Sequence, residues 1–298
     1  MEPDGIILID KQKGITSHSA VNRMRRLLRT EKTGHTGTLD PDATGLLVVL
    51  AGRAAKAAEY LTADEKEYEA TLRLGIATDT QDAGGEIIYQ SDKVPDEQTV
   101  CAAVMSFIGE YSQIPPMYSA LKQNGRKLVD LARRGIEVER QPRDVFIKDI
   151  KINKINETDY ALTVACSKGT YIRTLCDDIG KALGCGGCMA SLRRTKSGGY
   201  TIDGAITLDE CEKLTYEELC ARIIPTESLF YGLPTVELSG FFLKICKSGC
   251  QIYQKKIKTD FKVGQRVRIY DKDGFFALGE VREFDEGTAI KSIKVFRL

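Results

Sequence analysis

Asp40 sits in a loop of small and turn-forming residues, "GHTGTLDPDATGLL" (34–47), with His35, one of only two histidines in the chain. A carboxylate and an imidazole are groups that can move protons or attack an electrophile. The proline after Asp40 biases its backbone away from helix, and glycines at 34, 37 and 45 let the loop fold tightly beside the apolar run that follows. In isolation the same residues read as a turn, because Asp-Pro is common there. A second constellation, "SKGTYIRTLCDDIG" (167–180), sets Tyr171 and Arg173 at the mouth of a helix just after a strand, where side chains at a sheet edge can meet. Alone, Arg173 reads as an ion-pair partner and Tyr171 as packing at a strand end.

These groups need a frame, which the apolar pattern supplies. "GIILID" (5–10) reads as a strand, and Ser17 to Arg29 as a helix with Val21, Met24, Leu27 and Leu28 on one face and Ser17 or Ser19 as its cap. "TGLLVVLAG" is a buried strand and "AAKAAEYL" a helix, while "EYEATLRLG" alternates Tyr68, Ala70, Leu72 and Leu74 with polar residues, the period of a half-buried strand. "TDTQDAGGE" is loop by composition, and "TVCAAVMSFIGEY" a helix ending near Gly109. Prolines bracket a basic connection at about 113–143 with a helical centre. Strands return at "VFIKDIKIN" and "DYALTVACS", followed by the helix "YIRTLCDDIGKALG". After Pro234 the pattern changes: "VRIYDKDGFFALGEV" reads as two strands around a turn and "IKSIKVFRL" as a last strand. The expected division is a large domain, 1–232, carrying the 113–143 insertion, and a small β-rich domain, 234–298.

A chain of 298 residues with 42% hydrophobic and 29% charged residues has an ordinary globular composition and length for a sizeable core. No apolar run approaches the roughly 20 residues of a membrane helix, and acids precede the short N-terminal apolar run, unlike a signal peptide. A cytoplasmic protein without membrane association is expected. Nine cysteines, an odd number with no secretion signal, fit reduced thiols. "CGGC" (185–188) and "CKSGC" (246–250) could in principle share a zinc ion, but the second spacing is loose and neither histidine is near, so no metal is expected.

A net charge of +1 argues against a globally basic nucleic-acid binder, yet the average hides three basic runs. One is Arg23, Arg25, Arg26 and Arg29; the second is Lys122, Arg126, Lys127, Arg133, Arg134, Arg140 and Arg143; the third spans 244–272 and includes Lys255 and Lys256. Any one of them reads as a solvated face. Three in a neutral protein point to a polyanion partner.

The ordered set "GHTGTLDPDATGLL", "KEYEATLRLG", "TDTQDAGGE", "QIPPMYSALKQNGRKL" and "CSKGTYIRTLCDDIG" resembles the TruB family of tRNA pseudouridine synthases over essentially the whole first domain. The tail from about Val236 resembles a PUA-type RNA-binding module. The resemblance implies an α+β fold with a mixed, mostly antiparallel sheet and a central cleft. It also implies isomerisation of the T-loop uridine of tRNA, position 55 in tRNA numbering, to pseudouridine with no cofactor and no metal. Asp40 matches the family's catalytic aspartate, Arg173 its arginine and Tyr68 its active-site tyrosine. The resemblance further places Tyr171 in the same pocket, His35 against the disrupted RNA stack and Lys11 near the site. The basic insertion would close over the RNA arm and the tail lysines would contact phosphates, with Arg193 and Arg194 near the cleft, contacts that position RNA without reading a base. No obligate protein partner is implied, and a monomer is expected.

Two positions depart from the family's pattern: Gln12 stands where relatives commonly have proline, and Val129 where many have tyrosine. Two rival readings remain. A non-enzymatic tRNA-binding or folding protein would need only the basic runs. A nucleoside hydrolase would also cleave a glycosidic bond, but most glycosidases pair two carboxylates, and Asp42 is the only close second one.

Overall fold

The computed structural model describes residues 3–60, 65–123 and 125–297, so that Met1, Glu2, 61–64, Asn124 and Leu298 of the segments above lie outside the described residues. In chain order the first elements are β1 (Gly5–Lys11), α1 (Ser17–Leu27), β2 (Thr33–His35), β3 (Thr44–Ala51), β4 (Lys66–Leu74), the hairpin of β5 (Ile76–Thr78) and β6 (Ile87–Gln90), α2 (Glu97–Met105) and β7 (Gly109–Gln113). The insertion carries β8 (Lys122–Gln123), β9 (Arg126–Lys127) and α3 (Leu128–Ala132). There follow β10 (Arg143–Lys154), β11 (Asp159–Cys166), α4 (Ile172–Ala182), β12 (Gly187–Ser197), β13 (Tyr200–Thr201), β14 (Ile206–Thr207), α5 (Leu208–Cys211), α6 (Tyr216–Ala221) and β15 (Ile224–Pro225). The tail holds β16 (Thr235–Glu237), α7 (Gly240–Lys247), β17 (Ile252–Tyr253), α8 (Gln254–Ile257), β18 (Arg266–Asp271), β19 (Gly274–Phe284) and β20 (Gly287–Val295).

One mixed sheet runs β14-β1-β3-β12-β4-β11-β10-β7. Its pairs are antiparallel except β1 with β14 and β3 with β12. The apolar runs of β1 and β3 are buried on both faces, whereas β4 alternates, with Tyr68, Ala70, Leu72 and Leu74 inward. Helices α2 and α4 cover one region of the sheet through Val100, Val104, Leu175 and Ile179, packed on Leu72, Ile150 and Leu162. Helix α1 covers another, with Met24 and Leu28 against Ile7, Ile9 and Leu47. The tail forms a separate sheet, β16-β18-β19-β20-β17, yet it is joined to the first by a shared apolar cluster: Leu278 and Phe296 of the tail pack with Phe230, Ile6, Leu46 and Leu50.

Three local expectations change. Thr16, rather than Ser17 or Ser19, caps α1 by accepting from the Ser19 N–H at 3.0 Å; Ser17 is turned inward instead. The segment 99–111 is not one helix, because the chain leaves α2 after Met105 and Gly109, at φ +108, starts β7, whose pairing with β10 overrides the helical pattern. The alanine-rich stretch after β3 is a 3₁₀ helix, Gly52–Tyr60, whose three-residue period stacks the fully buried Ala54 and Ala57 on one side.

"CGGC" is a packing device. A Cβ on Gly180 would lie 2.0 Å from the Gly187 nitrogen, and one on Gly187 would lie 2.6 Å from the Cys176 carbonyl, so the glycines let α4 touch β12 backbone to backbone. Cys185 and Cys188 are buried free thiols, pushed up by burial, and no group of three metal-ligating side chains gathers among the described residues.

Candidate active site

Four segments converge on a cavity of about 470 Å³, a size suited to a small ligand or one nucleoside. They are the 36–40 loop between β2 and β3, the inward face of β4, the 168–173 turn entering α4, and the 119–121 stretch of the insertion, with Leu192 and Arg194 of β12 below. Asp40, Tyr68, Tyr171 and Arg173 all line it. His35 and Lys11 do not.

The loop that presents Asp40 is held from three sides. The Ser17 hydroxyl donates to the Leu39 carbonyl at 2.9 Å and accepts the Leu39 N–H at 2.8 Å, tying the loop to α1. Arg194, 1% exposed, donates to the carbonyls of Gly37, Thr38 and Leu46. Lys11, fully buried, donates to the carbonyls of Gln12, Ile15 and Pro41 at 2.9–3.1 Å. Burial pushes the Lys11 ammonium down to about 8, against the pull of Asp40 and Asp42. Expected near the site, Lys11 braces the residue next to Asp40, its donors engaged by backbone carbonyls.

Arg173 fixes the carboxylate. Its Nε lies 3.0 Å from Asp40 Oδ2 and its Nη2 donates to Oδ1 at 3.4 Å, a two-point grip. The remaining donors reach the carbonyls of Tyr118, 2.7 Å, and Thr80, 3.2 Å, with Asp82 Oδ2 3.7 Å away. Arg173 is the second residue of α4, where a cation opposes the helix dipole; the carboxylates of Asp40 and Asp82 offset that penalty. Burial raises the Asp40 carboxyl above the ordinary range, with Arg173 opposing, Asp82 adding to the rise and Lys11 opposing. Arg173 favours the charged form of Asp40, but desolvation is the larger effect.

Two phenols flank the carboxylate. Tyr68 on β4 is buried beside the Arg194 guanidinium; burial raises its phenol and Arg194 opposes the rise. Tyr171 is clamped through its backbone: its N–H donates to Gln113 Oε1 at 2.8 Å and its carbonyl accepts from Gln113 Nε2 at 3.0 Å. Burial raises its phenol as well. His35, on β2, accepts the Gly37 N–H at Nδ1, 3.2 Å, and burial, then Arg194 and His18, push its imidazole down, so it stands neutral at the shoulder of the loop. Asp42, the second carboxylate weighed for hydrolysis, is absent from the cavity wall.

Of the expected RNA contacts, Lys122, Arg126, Lys127, Arg133, Arg134, Lys255 and Lys256 are all exposed. Arg193 differs, since both its terminal nitrogens donate to Asp10, at 3.1 and 2.7 Å. Successive strand residues face opposite sides, so of "RR" one had to point inward. That one is Arg194, expected near the cleft as an RNA contact, which instead supports the Asp40 loop together with Ser17, expected as a helix cap; Gln113, the clamp on Tyr171, was not singled out from the sequence.

The family model described as TruB family pseudouridylate synthase, N-terminal domain, matches residues 25–172, and that described as tRNA pseudouridylate synthase B C-terminal domain matches residues 173–231. A protein of Alkaliphilus oremlandii named tRNA pseudouridine synthase B is 42% identical over 297 residues, 99% of this chain and 98% of that one. One of Burkholderia mallei with the same name is 43% identical over 272 residues, 91% of this chain and 90% of that one. Among solved structures, a chain of a Cbf5-Nop10-Gar1 complex superposes with a TM-score of 0.74 at 29% identity, covering 99% of this chain and 85% of the other. A chain of an H/ACA RNP bound to a substrate RNA containing 2'-deoxyuridine gives 0.73 at 27% identity, covering 100% and 86%.

Proposed function

This chain belongs to the TruB family of pseudouridylate synthases, and from that premise we propose that it converts the T-loop uridine of tRNA, position 55, to pseudouridine with Asp40 as the reacting carboxylate. The observation that carries the assignment to Asp40 is its place in the nucleoside-sized cavity, held at two points by a buried arginine and flanked by two phenols.

The reaction breaks the N1 to C1′ bond and makes a C5 to C1′ bond; C5 gives up a proton and N1 gains one. A fixed, ionised carboxylate serves it either by attacking C1′ or by taking the 2′ proton. A uridine stacked in folded RNA must first be flipped out, at a cost of a few kcal/mol that contacts to the base offset. Tyr68 supplies a face on which the uracil stacks and lies where C5 is deprotonated; Tyr171 closes the other side. His35, neutral and outside the cavity, suits the gap left in the RNA stack. The exposed cations of β8, β9 and α8, with Arg133 and Arg134 just after α3, contact phosphates. We further propose that 234–298 acts as a PUA-like RNA-binding unit, and that the protein works as a cytoplasmic monomer.

The test is an unmodified tRNA transcript tritiated at uracil C5. The expected result is tritium release without free uracil, abolished when position 55 is cytidine. Free base would establish a hydrolase, and binding without release a tRNA-folding protein.

A further inference from the structure

Gln81 has a left-handed backbone, φ +65, one of three described non-glycine residues with positive φ. Glycine would occupy that conformation without strain, so a long side chain there calls for an explanation. Its amide supplies one. Gln81 Oε1 accepts from the Thr174 hydroxyl at 2.8 Å, and Nε2 donates to Asp177 Oδ2 at 2.9 Å. Both partners are buried in α4, one and four residues after Arg173, and Lys181 Nζ holds the same Asp177 oxygen at 2.5 Å. The Gln81 backbone is pinned as well: its N–H donates to the Thr78 carbonyl and its carbonyl accepts from the Met189 N–H of β12, each at 3.1 Å.

The turn is thereby fastened to α4 by a side chain and to β12 by the backbone. The two neighbours of Gln81 supply groups that hold Arg173: the Thr80 carbonyl and the Asp82 carboxylate. Gln81 itself does not line the cavity. Taking the isomerase reading as given, we infer that Gln81 is a positioning residue, bridging Thr174 and Asp177 so that the 79–82 turn holds Arg173 against Asp40. The charged groups facing Asp40 are then Arg173 from α4, Asp82 from this turn and Lys11 from β1, with the phenols of Tyr68 and Tyr171 beside them.

Three variants test this: Gln81→Gly, Gln81→Glu, and Gln81→Glu with Asp177→Asn. Gln81→Gly relieves the backbone and removes the bridge. Its urea midpoint should not fall, while kcat drops roughly 10- to 100-fold with KM nearly unchanged, the signature of impaired alignment. The acid limb of its pH–rate profile should move to higher pH as Arg173 loosens, a shift that a smaller folded fraction would not produce. Gln81→Glu sets two carboxylates together and should be similarly impaired. The double variant exchanges donor and acceptor, and should recover kcat to within about fivefold of wild type.

Hydrogen exchange of the Arg173 Nε–H, followed by ¹⁵N NMR, should accelerate about tenfold or more in Gln81→Gly. That measurement needs no turnover: were the wild type inactive on tRNA, the isomerase reading would fail while the exchange rate still decided the role of Gln81. Wild-type kcat, acid limb and exchange protection in Gln81→Gly would overturn the inference, as would a double variant no better than Gln81→Glu.

Discussion

At the scale of the residue, one carboxylate stands in two opposed environments. Burial favours its neutral form and Arg173 its charged form, with burial the larger effect. Only the ionised form can attack or accept a proton, so activity should fall with decreasing pH through a value above the usual carboxylate pKa of about 4. Asp82 adds to the rise, and Asp82→Asn should move that acid limb downward; a kcat/KM profile with the limb unmoved would show that Asp82 does not act on Asp40. Asp40, Tyr68, Tyr171 and Arg173 were legible because each lies in a short segment whose order and content resemble a family. The resemblance placed Lys11 near the site too, but did not give its bracing role, because residue type says surface charge. Its burial is decided by three carbonyls, one of them thirty residues away, that close around the ammonium only in the folded chain.

At the scale of the element, the site depends on how closely α4 lies on β12. Gly180→Ala would place a Cβ 2.0 Å from the Gly187 nitrogen, where the obstacle is backbone and cannot swing aside. The helix that carries Arg173 must then lift, and the expected cost is about 1–3 kcal/mol in a urea titration, together with reduced activity. An unchanged midpoint and rate would mean that the close approach is not needed. Strands with a clear period, β4, β10 and β11, were readable from the sequence. The end of α2 was not, because the β7–β10 pairing that stops the helix joins residues far apart in the chain. Cys185 and Cys188 invited a metal reading, yet the informative residues of that motif are its glycines.

At the scale of the whole molecule, a net charge of +1 coexists with an exposed basic insertion and a basic tail. Affinity for tRNA should fall steeply with salt, and replacing Lys122, Arg126 and Lys127 by alanine should flatten the log–log slope by up to about 0.9 for each phosphate no longer neutralised. A slope unchanged in a binding titration would remove the insertion from the RNA interface. The tail is more than an appendage, since Leu278 and Phe296 pack with Phe230 on β1 and on β3, the strand that follows the Asp40 loop. Sequence patterning located the tail's strands but not this seam, because an apolar residue's partner is set by tertiary packing. Protein and folded RNA meet in the measurement closest to the central claim: tritium release from C5-labelled tRNA by wild type and Asp40→Asn, with tRNA binding measured on the same preparations. The expected result is that Asp40→Asn binds tRNA as tightly as wild type and releases no tritium; full release by Asp40→Asn would contradict the account.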